Sequence, residues 1–119
     1  MKPGFTDIRI ADWRTDKDDL TRIRRQVFVE EQNVPEDLEW DEHDSTASHF
    51  LVSTGNLAVA TARLKTDGQI GRMAVLAGYR NNKVGSKLLQ YILHYAAEKN
   101  LKSVYLHAQV DAIPFYEKM

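Results

Sequence analysis

Along this chain the apolar positions recur with two different periods, and the switches between them mark out the elements. Val84, Leu88, Leu89, Ile92, Leu93 and Ala96 are spaced by threes and fours, the period of a helix with one buried face. This helix is predicted to start near Asn82, with Asn81 or Asn82 as its N-cap. Leu20, Ile23, Val27 and Phe28 form a similar stripe in an earlier helix. Asp16 to Asp19 supply its caps and first-turn acids, and it is predicted to run to about Glu31.

Other stretches follow a strand pattern. Phe5 to Ile10 sets Thr6, Ile8 and Ile10 against Phe5, Asp7 and Arg9, the alternation of a strand with one buried face. His49 to Ser53 and Leu57 to Leu64 are apolar runs joined by a Gly55-Asn56 turn, and Thr66-Asp67-Gly68 makes a second turn before Gln69 to Val75. These read as three consecutive antiparallel strands. Ser103 to His107 reads as a further strand, and Ala112 to Lys118 as a helix that Pro114 opens. Gln32 to Asp44 has no sustained period, and Pro35 keeps Val34 out of a helix. It is predicted to be an ordered loop anchored by Val34, Leu38 and Trp40.

The order strand, helix, three strands, helix, strand, helix predicts an α+β domain, with a mixed, mainly antiparallel sheet and helices on both faces. With 119 residues, 43% apolar and 28% charged, the chain is expected to form a single domain over 1–119 with a real core. No apolar run is long enough to cross a membrane and no signal-peptide pattern opens the chain, so a cytoplasmic protein is expected. The absence of cysteine excludes disulfides, thiolate nucleophiles and cysteine-based zinc sites.

Charge changes this picture locally. Sixteen basic and seventeen acidic residues nearly cancel, so no global field favours nucleic acid. Acids nevertheless crowd Glu30 to Asp44, whereas Arg72, Arg80, Lys83 and Lys87 cluster later. A solvated loop accounts for the acids most simply; the alternative is a cationic ligand held beside an anionic one. At the strand-to-helix junction, Arg80 to Ser86 combines basic side chains, Gly85 and the unpaired N–H groups of a first helical turn. That is the chemistry of a phosphate site. The plainer account is an ordinary helix start with Gly85 packed against the preceding strand. His43 with Asp41 and Asp44 lacks a second histidine at ligand spacing, so no metal is expected.

The order strand, Arg80-x-x-Lys83-x-Gly85, helix resembles the pyrophosphate-binding segment of the GNAT superfamily of acyl-CoA-dependent N-acetyltransferases, whose pattern is Q/R-x-x-G-x-G/A. Lys83 stands where the family usually has its first glycine. Arg24 to Pro35, containing Val27-Phe28-Val29-Glu30-Glu31-Gln32-Asn33-Val34-Pro35, is similar to a VFVxEQxVP phrase in a bacterial branch of uncharacterised GNAT proteins. Gly71 to Ala74 resembles the strand beside the cofactor's pantetheine arm, and Pro114-Phe115-Tyr116-Glu117-Lys118 resembles the family signature FYEKxGF. That signature is normally followed by a last hairpin, so the resemblance implies a chain shortened at its C-terminus. An open sheet edge there would invite a homodimer.

The resemblance implies acetyl-CoA as cosubstrate and an amine, on a small molecule or a protein, as acceptor. The pyrophosphate would meet the N–H groups of Lys83, Val84, Gly85 and Ser86, faced by Arg80, while Met73 and Val75 would offer backbone groups to the pantetheine amides. Tyr116 takes the position of the acid that protonates the departing thiolate; packing of a terminal helix is the other account of it. Glu31 and His107 are the leading candidates for the base, with Glu30 beside them and His43 and His49 having weaker claims. The rival reading is a non-catalytic acyl-CoA-binding or interaction module of the same fold.

Overall fold

The computed structural model describes residues 6–35, 42–80, 83–101 and 104–106. Strand β1 is Thr6–Ala11, and helix α1 is Lys17–Arg24. The helix continues without a break through a wider π-helical segment, Arg25–Glu31. A short 3-10 turn at Glu42–Ser45 leads into β2 (Ser48–Thr54), β3 (Leu57–Leu64) and β4 (Gln69–Val75). A second 3-10 turn, Ala77–Tyr79, precedes helix α2 (Val84–Glu98), and β5 is Tyr105–Leu106. The sheet order is β1-β2-β3-β4-β5, antiparallel except for the parallel pair β4-β5. A parallel pair needs a crossover, and α2 supplies it.

The two turns between strands fall where glycine permits them. Gly55 has φ +62° and Gly68 has φ +97°, values that side chains with a Cβ adopt at a cost. The pleat then sorts the sheet into two faces. Phe50 sets its ring edge-on to Tyr91 and Tyr95 of α2. Its neighbour His49 points the other way and stacks on Trp13, just ahead of α1. Helices therefore cover both faces, as the sequence predicts, and Leu20, Ile23, Phe50, Val52, Val59, Leu88 and Ile92 are fully buried between the layers.

Three details depart from expectation. Helix α2 begins at Val84, two residues past Asn82, and its N-cap is Lys83 and neither Asn81 nor Asn82; Lys83 makes no side-chain cap. Asp16 does occupy the N-cap of α1, but its carboxylate turns back to the Asp12 N–H (2.8 Å) and to Arg9 (3.0 and 2.7 Å). In β1, Ile10 is 48% exposed, so the predicted buried face is only partly covered. The helix predicted at Ala112 to Lys118 lies outside the described residues.

Strand β4 is also not regular. From Gly71 opposite Arg63 to Ala74 opposite Thr61, three steps along β4 match two along β3. The extra residue is a bulge at Arg72 and Met73, and Arg72 takes φ +50°. Bulges bend a strand and re-aim its backbone groups.

Candidate active site

The site is assembled where β4 ends and α2 begins. Leu76 donates its N–H to the Val59 carbonyl at 2.9 Å. Backbone groups alternate sides along a strand, so those of Val75 point away from β3. The Val75 carbonyl accepts a hydrogen bond from Arg80 Nε at 2.8 Å. Met73, in the bulge, is half-buried.

Arg80 has a second engagement. Its Nη1 and Nη2 donate to the two carboxylate oxygens of Glu31 at 2.6 and 2.8 Å. Glu31 closes the π-helical segment, so residues 49 apart in sequence meet here. Both side chains remain substantially open to water, at 37% and 42% exposure. That exposure keeps the stabilisation modest, about 0–1 kcal/mol. The fork geometry is nonetheless specific. The Arg80 hydrogen bonds, and then its charge, hold the Glu31 carboxyl below its ordinary range and raise the Arg80 guanidinium in turn. A carboxylate so stabilised is a weaker proton acceptor.

At the entry to α2, Lys83 adopts φ +61° and ψ +20°. This is the left-handed region that glycine enters freely and lysine does not. The resemblance places a glycine at this position, and the backbone takes the conformation glycine would supply. The first helical turn closes through Lys87 N–H to the Lys83 carbonyl at 3.0 Å. The N–H groups of Val84, Gly85 and Ser86 therefore have no acceptor within the helix. Val84 is buried and ties the turn to the core, while Gly85 and Ser86 are partly exposed. A partly exposed turn with donors at the positive end of a helix dipole can hold an anion.

Tyr116 and His107, the expected acid and one candidate base, lie outside the described residues, as do residues 36–41 of the acidic run. His43 is exposed in the Glu42–Ser45 turn. His49 is buried and donates Nε2–H to the Asp44 carbonyl at 2.8 Å. Burial pushes its pKa down and outweighs the opposing pull of Asp44, so it is a neutral packing residue. Among the described residues no group of three metal-binding side chains occurs.

Sequence reasoning missed a buried charge cluster. Asp44, counted in a run expected to be solvated or to face a cationic ligand, is 3% exposed. Arg24 Nη1 reaches Asp44 Oδ1 at 2.9 Å, and Arg63 Nη1 reaches the same oxygen at 3.0 Å. Burial alone would push the Asp44 carboxyl up; the bonds and charges of Arg24, then of Arg63, outweigh it and hold it below the ordinary range. A signal existed in both arginines. Arg24 sits in the buried stripe with Leu20, Ile23 and Val27, and Arg63 interrupts an otherwise uncharged strand. A charge at a core position implies a partner.

The sequence profile of the acetyltransferase (GNAT) family matches residues 9–119. The chain belongs to that family. Among its relatives, the uncharacterised N-acetyltransferase YjcF of Bacillus subtilis is 34% identical over 103 residues, 84% of this chain and 74% of the relative's. Escherichia coli ElaA shares the fold with a TM-score of 0.82 and 29% identity, covering 94% of this chain and 84% of the other. A predicted acetyltransferase with acetyl-CoA from Clostridium acetobutylicum has a TM-score of 0.74 at 20% identity, over 96% of this chain and 88% of that one; this likeness speaks for the fold alone. In this GNAT chain the bulged β4, the left-handed Lys83 and the start of α2 thus lie on a family scaffold. Among the described residues no helix is long and apolar enough to cross a membrane.

Proposed function

We propose that the chain transfers an acetyl group from acetyl-CoA to a primary amine by direct attack within a ternary complex. The observation that carries this reading is the left-handed backbone at Lys83, which opens α2 with three N–H donors that have no acceptor within the helix, downstream of a bulged strand. The residues present suit the cosubstrate. Val84, Gly85 and Ser86 N–H groups, with the Lys83 N–H and ammonium, would hold the pyrophosphate. Met73 and the N–H of Val75 would meet the pantetheine amides as one more strand meets a sheet edge. The Val75 carbonyl is already taken by Arg80.

Acetyl-CoA supplies an activated thioester. The amine nitrogen forms a bond to the acetyl carbon, the carbon–sulfur bond breaks, and coenzyme A leaves as a thiolate. Tyr116 donates the proton to that thiolate. A phenol of pKa about 10 protonates a thiolate whose thiol has a pKa of about 8.5 only uphill, so the step depends on close approach. The proton lost by the amine goes to His107 or to water, because Glu31 is held by Arg80 and its basicity is lowered. The acidic stretch beside Glu31 favours a cationic acceptor.

Thiol release from acetyl-CoA over a panel of mono- and polyamines tests this reading. Amine-dependent release is expected, and Tyr116→Phe is expected to cut kcat by about ten- to a thousandfold with little change in KM for acetyl-CoA. Binding of coenzyme A with no release on any amine would favour a module that has kept the fold and lost the chemistry.

A further inference from the structure

We propose that Glu31 and Arg80 form a positioning strut for the cofactor loop, in which Arg80 braces two parts of the protein and is not itself a phosphate ligand. The inference rests on the acetyl-CoA reading above. All three guanidinium nitrogens of Arg80 are engaged by the protein: Nε by the Val75 carbonyl at 2.8 Å, and Nη1 and Nη2 by Glu31 at 2.6 and 2.8 Å. A bidentate phosphate contact needs either the Nη1/Nη2 edge that Glu31 occupies or the Nε edge that the Val75 carbonyl occupies. Arg80 can grip a phosphate in that way only by releasing Glu31 or the Val75 carbonyl. As the pair stands it is neutral and adds no net charge for an anion to feel.

What the pair adds is geometry. One guanidinium ties the end of the π-helical segment to the last residue of β4, and it does so three residues before the left-handed turn at Lys83. The backbone that would flank the pantetheine arm and the turn that would hold the pyrophosphate are thereby set relative to each other. Glu31 is the last residue of the π-helical segment, and such segments recur at functional sites. Positive charge for the phosphates then comes from Lys83, Lys87 and the α2 dipole, both lysines being exposed at the helix start. Glu31 becomes a positioning residue for cofactor affinity and not the base.

Calorimetric titration of acetyl-CoA into the whole chain, at two ionic strengths, separates the roles. The variants are Glu31→Gln, Arg80→Gln, Arg80→Lys and the Glu31→Gln/Arg80→Gln pair. A strut predicts that each single variant weakens binding by about two- to fivefold, the most that an exposed link worth about 0–1 kcal/mol can pass on. The double variant should be no weaker than either glutamine variant, because both break the same link. Arg80→Lys should be as weak as Arg80→Gln, since an ammonium cannot span two carboxylate oxygens and a carbonyl. The salt dependence should match that of the wild type, and steady-state rates should show a raised KM for acetyl-CoA with kcat unchanged. Retained affinity in Arg80→Lys, with a flattened salt dependence in Arg80→Gln, would make Arg80 a direct phosphate ligand and overturn the proposal. Tighter binding in Glu31→Gln would overturn it by making Glu31 a competitor, as would a fall in kcat alone, which would restore Glu31 as base. Unchanged affinity in every variant also overturns it. If the wild type itself fails to bind acetyl-CoA, the cofactor reading fails first and the strut with it.

Discussion

Asp44→Ala removes the carboxylate that Arg24 and Arg63 share inside the protein. The side chains of Arg24, Asp44 and Arg63 are 1%, 5% and 5% exposed, and the contacts are 2.9 and 3.0 Å to one oxygen, with a weaker one of 3.4 Å from Arg24 Nη2 to the other. Breaking a buried pair by deleting one partner costs about 3–5 kcal/mol, since the remaining charge stays in a poorly solvated place. A domain of 119 residues has a total stability of about 6–18 kcal/mol at about 0.05–0.15 kcal/mol per residue. The substitution therefore consumes a large share of it and should lower Tm by about 10–20 °C. Arg63→Met leaves the Arg24–Asp44 contact in place and should cost less. The assay is urea and thermal unfolding followed by circular dichroism, with m compared to confirm a two-state transition. The pH dependence adds a sign. The folded pKa of Asp44 lies below its ordinary 3.8, so its contribution is present above that value and is lost as pH falls through the folded pKa. Asp44→Ala should thus be less acid-sensitive than the wild type below about pH 4. A loss of under about 0.5 kcal/mol, the size of an ordinary surface change, would refute the reasoning.

Lys83→Gly should leave global stability unchanged or raise it by up to about 1 kcal/mol, because relief of left-handed strain, about 1–2 kcal/mol, is partly offset by glycine's entropy. Lys83→Val should destabilise, and equal denaturation midpoints for the two variants would contradict the strained backbone at φ +61°. The Asp16 carboxyl, held first by Arg9 and then by the Asp12 N–H, should titrate at about 2 in carbon-detected NMR. Its contribution to stability is present above its ordinary 3.8 and lost as pH falls through about 2, and Arg9→Gln should move the titration back up.

The pattern of apolar residues was enough to read the order of the described elements, because strands β2 to β4 are short, carry apolar centres and are separated by glycine turns that allow few alternatives. The helix stripes were equally plain. What periodicity does not report is where the backbone leaves its ideal path. The bulge at Arg72 and Met73 belongs to the β3–β4 pairing, and no residue in it or in the π-helical segment at 25–31 is one that demands such geometry. The site was legible as an anion-binding pattern around Gly85, yet its pairings were not. Arg80 and Glu31 are 49 positions apart, and nothing in their local sequence says that they meet. The same holds for Asp44, whose acidic neighbours suggested solvent; its buried partners on α1 and β3 decide otherwise.

The most direct test of the central claim is a calorimetric titration of acetyl-CoA into the wild type and Gly85→Val. The account predicts one site per chain in the wild type, weakened by about 1–3 kcal/mol in the variant, where a branched side chain would meet the incoming phosphate. Wild-type binding that Gly85→Val leaves unchanged, or no binding at all, would contradict it.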